Sequence, residues 1–227
     1  MNKAIFKRLL DIVFSLCGIV VLSPVFLIIA VAIVIDDPGS IFFKQKRVGK
    51  NKKLFTILKF RSMKMSTPHD TPTHMLENPE QYITRVGKFL RKTSLDELPQ
   101  IFNIFTGQMS IIGPRPALWN QDDLIAERDK YEANDITPGL TGWAQVNGRD
   151  ELIIEDKARL DGEYTRNISI KMDWVCFWMT VGNVLKRKGV VEGGTGVMVK
   201  QIVKRQNEIN KDIDNTNIDV EKEAITK

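Results

Sequence analysis

The chain has 227 residues, a formal net charge of +5 and only two cysteines. That length supports one sizeable domain with appended elements and leaves little room for two. Cys17 and Cys176 lie far apart in apolar surroundings, which excludes a disulfide framework and suits packed thiols in a reducing compartment.

No residue between Asp11 and Asp36 is charged. Residues 12–35 therefore form an apolar run that, at about 1.5 Å per residue, reaches across about 30 Å of hydrocarbon. A secretory leader is disfavoured, because the run is long for such a segment and no small-residue cleavage site precedes Asp36-Asp37-Pro38-Gly39. Ser23-Pro24 falls at its middle. Proline there removes one helical hydrogen bond and crowds the carbonyl of Val20, so a kink or break is expected. Lys3, Lys7 and Arg8 flank one end and Lys44, Lys46 and Arg47 the other, so both ends compete for the cytoplasmic side. A helix-break-helix hairpin entering and leaving one leaflet fits both features better than a kinked span.

From Ser40 the pattern turns β-rich. Ile41-Phe42-Phe43 and residues 54–58, separated by Val48-Gly49-Lys50-Asn51, predict a basic β-hairpin. Lys44, Gln45, Arg47, Lys59 and Arg61 could cradle phosphates, with Lys59 and Arg61 favoured; a solvated basic face near lipid headgroups is the alternative. Residues 65–79 read as a surface loop, and His69 and His74 within it lack partners at metal-like spacing.

A helix is expected over residues 79–93, ending in Arg91 and Lys92. Ser94-Leu95-Asp96-Glu97 is a literal capping box, in which Ser94 accepts from the Glu97 amide and Glu97 reaches back. The same two carboxylates, flanked by cations, also read as a nucleophile at a helix start. A helical apolar stripe follows over residues 95–105, stopped by Gly107. Two prolines flank Arg115 in Gly113-Pro114-Arg115-Pro116 and present its guanidinium with little freedom to lose.

Residues 122–134 predict a charged helix. Residues 137–149 carry three glycines, Trp143, Gln145, Asn147 and Arg149, a composition suited to stacking and hydrogen-bonding a base. Helices are expected over residues 151–166 and 172–185. The second places Trp174, Phe177, Trp178 and Val181 at helical spacing and reads either as an amphipathic interfacial helix or as core. The charged tail carries no assignable chemistry.

Taken in order, the apolar run with Ser23-Pro24, Lys59-Phe60-Arg61-Ser62-Met63, the run Thr93 through Gln100, Gly113-Pro114-Arg115-Pro116 and residues 138–149 resemble the bacterial sugar transferases, the monotopic phosphoglycosyl transferases. The resemblance covers about residues 3 to 190, in the short form without extra N-terminal spans. It implies transfer of a sugar 1-phosphate from a UDP-sugar to undecaprenyl phosphate, with UMP released and Mg²⁺ required. The family's acidic dyad falls on Asp96 and Glu97, with Asp96 as nucleophile and both carboxylates as Mg²⁺ ligands. Lys59, Arg61, Arg91, Arg115, Gln145, Asn147, Arg149 and Asp161 are the expected substrate-binding residues. Asp161 matches an aspartate ahead of a Tyr-Tyr pair, which here is Glu163-Tyr164.

The fold class expected is α+β, mostly helical. A re-entrant membrane hairpin (1–39) precedes a cytosol-facing catalytic domain (40–190) with a small basic β-hairpin and amphipathic interfacial helices, then a charged tail (191–227). Location at the cytoplasmic face of the bacterial inner membrane follows. The expected partners are the UDP-sugar, undecaprenyl phosphate and membrane lipids, with a homodimer allowed. Nucleic acid is disfavoured, because aromatics are not interleaved with the basic residues. A non-catalytic membrane scaffold is the other rival, and it would leave Asp96, Glu97 and Arg115 free to change.

Overall fold

The computed structural model describes residues 3–67, 79–148 and 152–185. His69, His74, Arg149 and the tail lie outside them.

Helix α1 runs from Lys3 to Asp36 with Pro24 inside it. The expected helix-break-helix is thus corrected to a chain that stays helical through Ser23-Pro24. The local chemistry explains how. The hydrogen bond that Pro24 cannot make would have ended on the Val20 carbonyl, and the Ser23 hydroxyl donates to that same oxygen at 2.8 Å. The side chain replaces the lost backbone donor, so no carbonyl is orphaned in an apolar helix.

One flank of α1 is docked along its length. Lys7 pairs with Asp173 at 2.6 Å. Arg8 donates to the carbonyls of Ile104 and Phe105 at 2.6 and 2.7 Å. Phe26 packs its ring against Phe60 and Phe102, Ile29 and Ile33 join Phe60 and Leu90 in a buried cluster, and the Asp36 carboxylate accepts from the Val86 amide. The opposite flank exposes Val13, Phe14, Val20, Val21, Leu27, Ile28 and Ile35.

Strands β1 (Phe42–Val48) and β2 (Leu54–Phe60) form the expected hairpin, antiparallel from Phe42↔Phe60 to Val48↔Leu54. Both strands run further than their apolar residues indicate, because the basic positions alternate with inward ones and tolerate a half-exposed ladder. The outer edge of β2 is closed by one side chain. The Asn103 amide donates to the Thr56 carbonyl at 2.8 Å, and its oxygen accepts from the Leu58 amide at 3.0 Å.

The single helix expected over residues 79–93 is two pieces. A 3₁₀ turn, Pro79–Tyr82, is followed by an Ile83–Met63 bridge and then α2 (Arg85–Thr93), which starts where the Thr84 hydroxyl accepts from the Gly87 amide. Gly87 is required by close approach: a Cβ there would lie 2.0 Å from the Ser62 carbonyl oxygen. Beyond a 3₁₀ turn at Leu95–Glu97 comes α3 (Gln100–Thr106), stopped as expected at Gly107, φ 89°.

Strand β3 (Ser110–Ile112) pairs in parallel with β4 (Gly139–Thr141), and α4 (Asp122–Asp129) lies in the crossover between them. Helix α4 is shorter than expected, and the chain after it turns through a left-handed Glu132, φ 58°. Helices α5 (Trp143–Val146), α6 (Ile154–Arg166) and α7 (Ile170–Leu185) complete the order. The described part is mostly helical with two small sheets. Cys17 and Cys176 are both free thiols.

Candidate functional site

Glu97 is the focus of the polar interior. Its carboxylate accepts from Lys59 of β2 at 2.9 Å and from both terminal nitrogens of Arg115 at 2.6 and 3.3 Å. Cross-strand pairing places Lys59 at the end of the hairpin, and Gly113-Pro114 carries the chain from β3 to Arg115. Burial pushes the Glu97 carboxyl up, but Arg115 and Lys59 outweigh it and hold the group well below the usual carboxylate range.

Asp96, one residue earlier, is perturbed the other way. Burial raises it, Lys59 opposes, and the neighbouring Glu97 charge raises it further against Arg91 and Arg115. The adjacent carboxylates are thus shifted in opposite directions: Glu97 is held as an anion, whereas Asp96 is the more basic of the two. Burial also lowers Lys59, with Glu97 countering. Arg47 donates to the Pro116 carbonyl at 3.1 Å and to the Gln45 side chain at 2.8 Å, and burial followed by Arg115 lowers it to about 10. Arg91 donates to the Ser62 hydroxyl at 2.9 Å. Four cations thus act on two carboxylates, and the excess positive charge suits a polyphosphate.

The capping box does not form. Ser94 adopts a left-handed conformation, φ 57°, that ends α2, and its side chain caps nothing in the turn that follows. Glu97 turns to Lys59 and Arg115 instead of back to Ser94, because three charge-assisted bonds outweigh one amide contact. The helix-start argument changes too: Asp96 and Glu97 occupy a 3₁₀ turn, and α3 begins only at Gln100. The cations, rather than a helix terminus, define this environment.

The sequence profile of the bacterial sugar transferases matches residues 2–187. Among curated relatives, an uncharacterized sugar transferase of Bacillus subtilis is 39% identical over 190 residues, covering 82% of this chain and 90% of its own length. The UDP-glucose:undecaprenyl-phosphate glucose-1-phosphate transferase of Escherichia coli is 38% identical over 188 residues, 77% of this chain. The exopolysaccharide production protein ExoY of Sinorhizobium fredii is 34% identical over 197 residues. The chain belongs to the bacterial sugar transferase family. It spans about two fifths of the length of the Escherichia coli and Xanthomonas campestris relatives, at 39% of each.

The other residues expected to bind substrate in this sugar transferase are dispersed. Arg61 is buried and committed to the end of α1, 3.0 Å from the Asp37 carboxylate and donating to the Asp37 carbonyl. Asp161 is fully buried and accepts from the Arg128 guanidinium at 2.8 Å; burial raises its carboxyl and Arg128 opposes. Asp161 therefore joins α6 to α4. Tyr164, C-terminal to Glu163, donates to Asp173 at 2.6 Å.

The glycine-rich stretch also serves close backbone packing. Gly139 and Gly142 are small so that β4 can lie against Gly113: a Cβ on either would fall 2.1 Å from Gly113 backbone atoms. Trp143, partly buried, packs against Tyr164 and Cys176. Gln145 donates to the Leu140 carbonyl at 3.3 Å and Asn147 to the Trp143 carbonyl at 2.8 Å. Composition suggested a ligand loop here, but close backbone packing draws on the same small residues. Arg47 was among several basic candidates; only the strand register, which sets it on the Lys59 face, singles it out.

Among the described residues no group of three or more His, Cys, Asp or Glu side chains could hold a metal alone. Mg²⁺ takes one or two carboxylates, keeps several waters and draws other ligands from phosphates, so Asp96 and Glu97 are the residues that would hold it beside a bound diphosphate.

Proposed function

We propose that the protein transfers a sugar 1-phosphate from a UDP-sugar to undecaprenyl phosphate through an aspartyl-phosphosugar intermediate, as the first membrane step of a surface-glycan pathway. The observation that carries this reading is the Asp96-Glu97 pair, with its carboxyl groups driven apart in acidity inside a cluster of cations. Relatives named as undecaprenyl-phosphate transferases support the substrate class.

An Asp96 oxygen attacks the sugar-linked phosphorus. The bond from that phosphorus to the bridging oxygen breaks, and UMP leaves with the electron pair. A phosphate oxygen of undecaprenyl phosphate then attacks the same phosphorus, and the aspartyl oxygen departs as a restored carboxylate. No net proton transfer is needed, so the chain's task is to position groups and offset charge. Glu97 holds Lys59 and Arg115 toward the diphosphate, and Arg91 and Arg47 add to the field. Mg²⁺ held by Asp96 and Glu97 would neutralise diphosphate charge when bound.

The membrane segment fits this chemistry. A helix with one flank docked on the folded body from Lys7 to Asp36, and the other flank apolar, suits a helix embedded in one leaflet rather than crossing both. Exposed Trp174, Phe177 and Trp178 on α7 suit the same interface. A catalyst so placed at the cytoplasmic face of the inner membrane meets the lipid phosphate at the headgroup level and takes its UDP-sugar from the cytosol.

The test is purified full-length protein in lipid nanodiscs with undecaprenyl phosphate, Mg²⁺ and a panel of UDP-sugars. UMP release is expected with at least one sugar. Without the lipid, intact mass should gain one phosphosugar on the wild type and none on Asp96→Asn. Wild-type turnover in Asp96→Asn would sink the nucleophile assignment.

A further inference from the structure

Asp11 lies inside the membrane helix, yet it is 5% exposed and its side chain faces the folded body. Residues 12–35 beyond it carry no charge. Its carboxylate accepts from the Ile111 amide at 2.9 Å, 100 positions away in the chain. Ile111 is the middle residue of β3, and the neighbouring Ser110 and Gly113 amides donate in the other direction, to Pro138 and Thr141 at the β4 side. Strand β3 is thus held on both edges, by β4 on one and by one side chain of α1 on the other.

The strand leads straight to Arg115. Gly113 and Pro114 are themselves pinned, through the Gly113 amide to Thr141 and the Pro114 carbonyl to the Gly139 amide, so little slack remains between Ile111 and the Arg115 guanidinium. A buried amide that loses its acceptor must either move or remain unsatisfied, and movement of β3 carries Arg115 away from Glu97. Arg8, one turn earlier, holds the other carrier of the site, the C-terminal carbonyls of α3.

We propose that Asp11 is a positioning residue for Arg115, so that docking of the membrane helix onto β3 assembles the cation cluster around Glu97. The inference rests on the phosphosugar-transfer reading only for its activity readout. A helix that has not docked leaves β3 without one edge partner, and the same contact that anchors the chain in the leaflet prepares the site for the diphosphate.

The experiment compares Asp11→Ala, Asp11→Asn, Arg115→Ala and the Asp11→Ala/Arg115→Ala double variant in nanodiscs. Two readouts are taken: UMP release, and hydrogen–deuterium exchange of the peptide over residues 109–115. Asp11→Ala is expected to lower kcat/KM by about ten- to a hundredfold, the usual cost of one buried unpaired group. Asp11→Asn, which keeps an acceptor oxygen, should recover most of that loss. In the Arg115→Ala background Asp11→Ala should cost little more, because both changes remove one arrangement. Exchange over residues 109–115 should quicken in Asp11→Ala and stay slow in Asp11→Asn. Additive losses in the double variant, or equal exchange in Asp11→Ala and wild type, would overturn the inference. A wild type that releases no UMP defeats the activity reading alone, since exchange still decides the role of Asp11.

Discussion

Replacing Glu97 with glutamine removes the anion on which the site is built while keeping its shape. Three contacts are at stake, Lys59 at 2.9 Å and the two Arg115 nitrogens at 2.6 and 3.3 Å. Hydrogen bonds to charged groups contribute about 1.5–3 kcal/mol each. Glutamine retains one acceptor oxygen, and Arg115, with a side chain 31% exposed, regains some hydration, so the sum must be discounted. A net loss of about 2–3 kcal/mol remains, which for a body of this size lowers Tm by about 4–10 °C. Thermal unfolding in detergent micelles near neutral pH measures it. The acid side supplies a sign check. Glu97 is held below its unfolded value, so its contribution is present above that value and lost as pH falls through the folded one. The gap between wild type and Glu97→Gln should therefore persist below the usual carboxylate range and close only in stronger acid. A Tm within about 2 °C of wild type at neutral pH would refute the claim that Glu97 organises the cluster.

Other outcomes follow from the same geometry. Asp96 has a raised folded value, so its favourable contribution exists below the unfolded value and is lost as pH rises through the folded one; at neutral pH its charge is held at a cost. Asp96→Asn should accordingly raise Tm at pH 7 while reducing UMP release by about 10³-fold or more, and a lower Tm would count against the burial argument. Burial lowers Lys59, so the alkaline limb of the kcat/KM profile should fall below the ordinary lysine value and move upward in Lys59→Arg; an unchanged limb would exclude Lys59 as its source. Pro24→Ala restores a backbone donor to Val20 and removes the ring but leaves the docked flank of α1 unchanged, so the N-terminus should label from the same side of the membrane as in wild type. Labelling from the opposite side in that variant would show that Pro24, rather than the docked flank, sets the topology.

The sequence made much of the framework legible, because its strongest signals are local. The apolar run before Asp36, the basic hairpin, the Gly107 stop and the chain order of the helices all depend on neighbours within a few residues. The dyad was legible as a pair, and the resemblance assigned its roles, but the environment that shifts the two carboxyls in opposite directions was not legible. That depends on Lys59 and Arg115, which lie 38 and 18 positions from Glu97 and meet it only through the hairpin and the β3 turn. Local rules misled at Ser94, where a capping pattern competes with distant cations. They did not show that Gly139 and Gly142 serve close packing against Gly113. Asp11 and Arg61 illustrate a third limit: Asp11 reads only as the boundary of the apolar run and Arg61 as a phosphate ligand, and only the fold shows them turned to the Ile111 amide and the Asp37 carboxylate.

The Asn103 side chain has a consequence for self-association. Its amide occupies one donor, at Leu58, and one acceptor, at Thr56, of the β2 edge, as one residue of a neighbouring strand would. A strand added along the middle of the β2 edge would have to displace this buried asparagine. Such a plug works against edge-to-edge zippering of copies at the middle of β2.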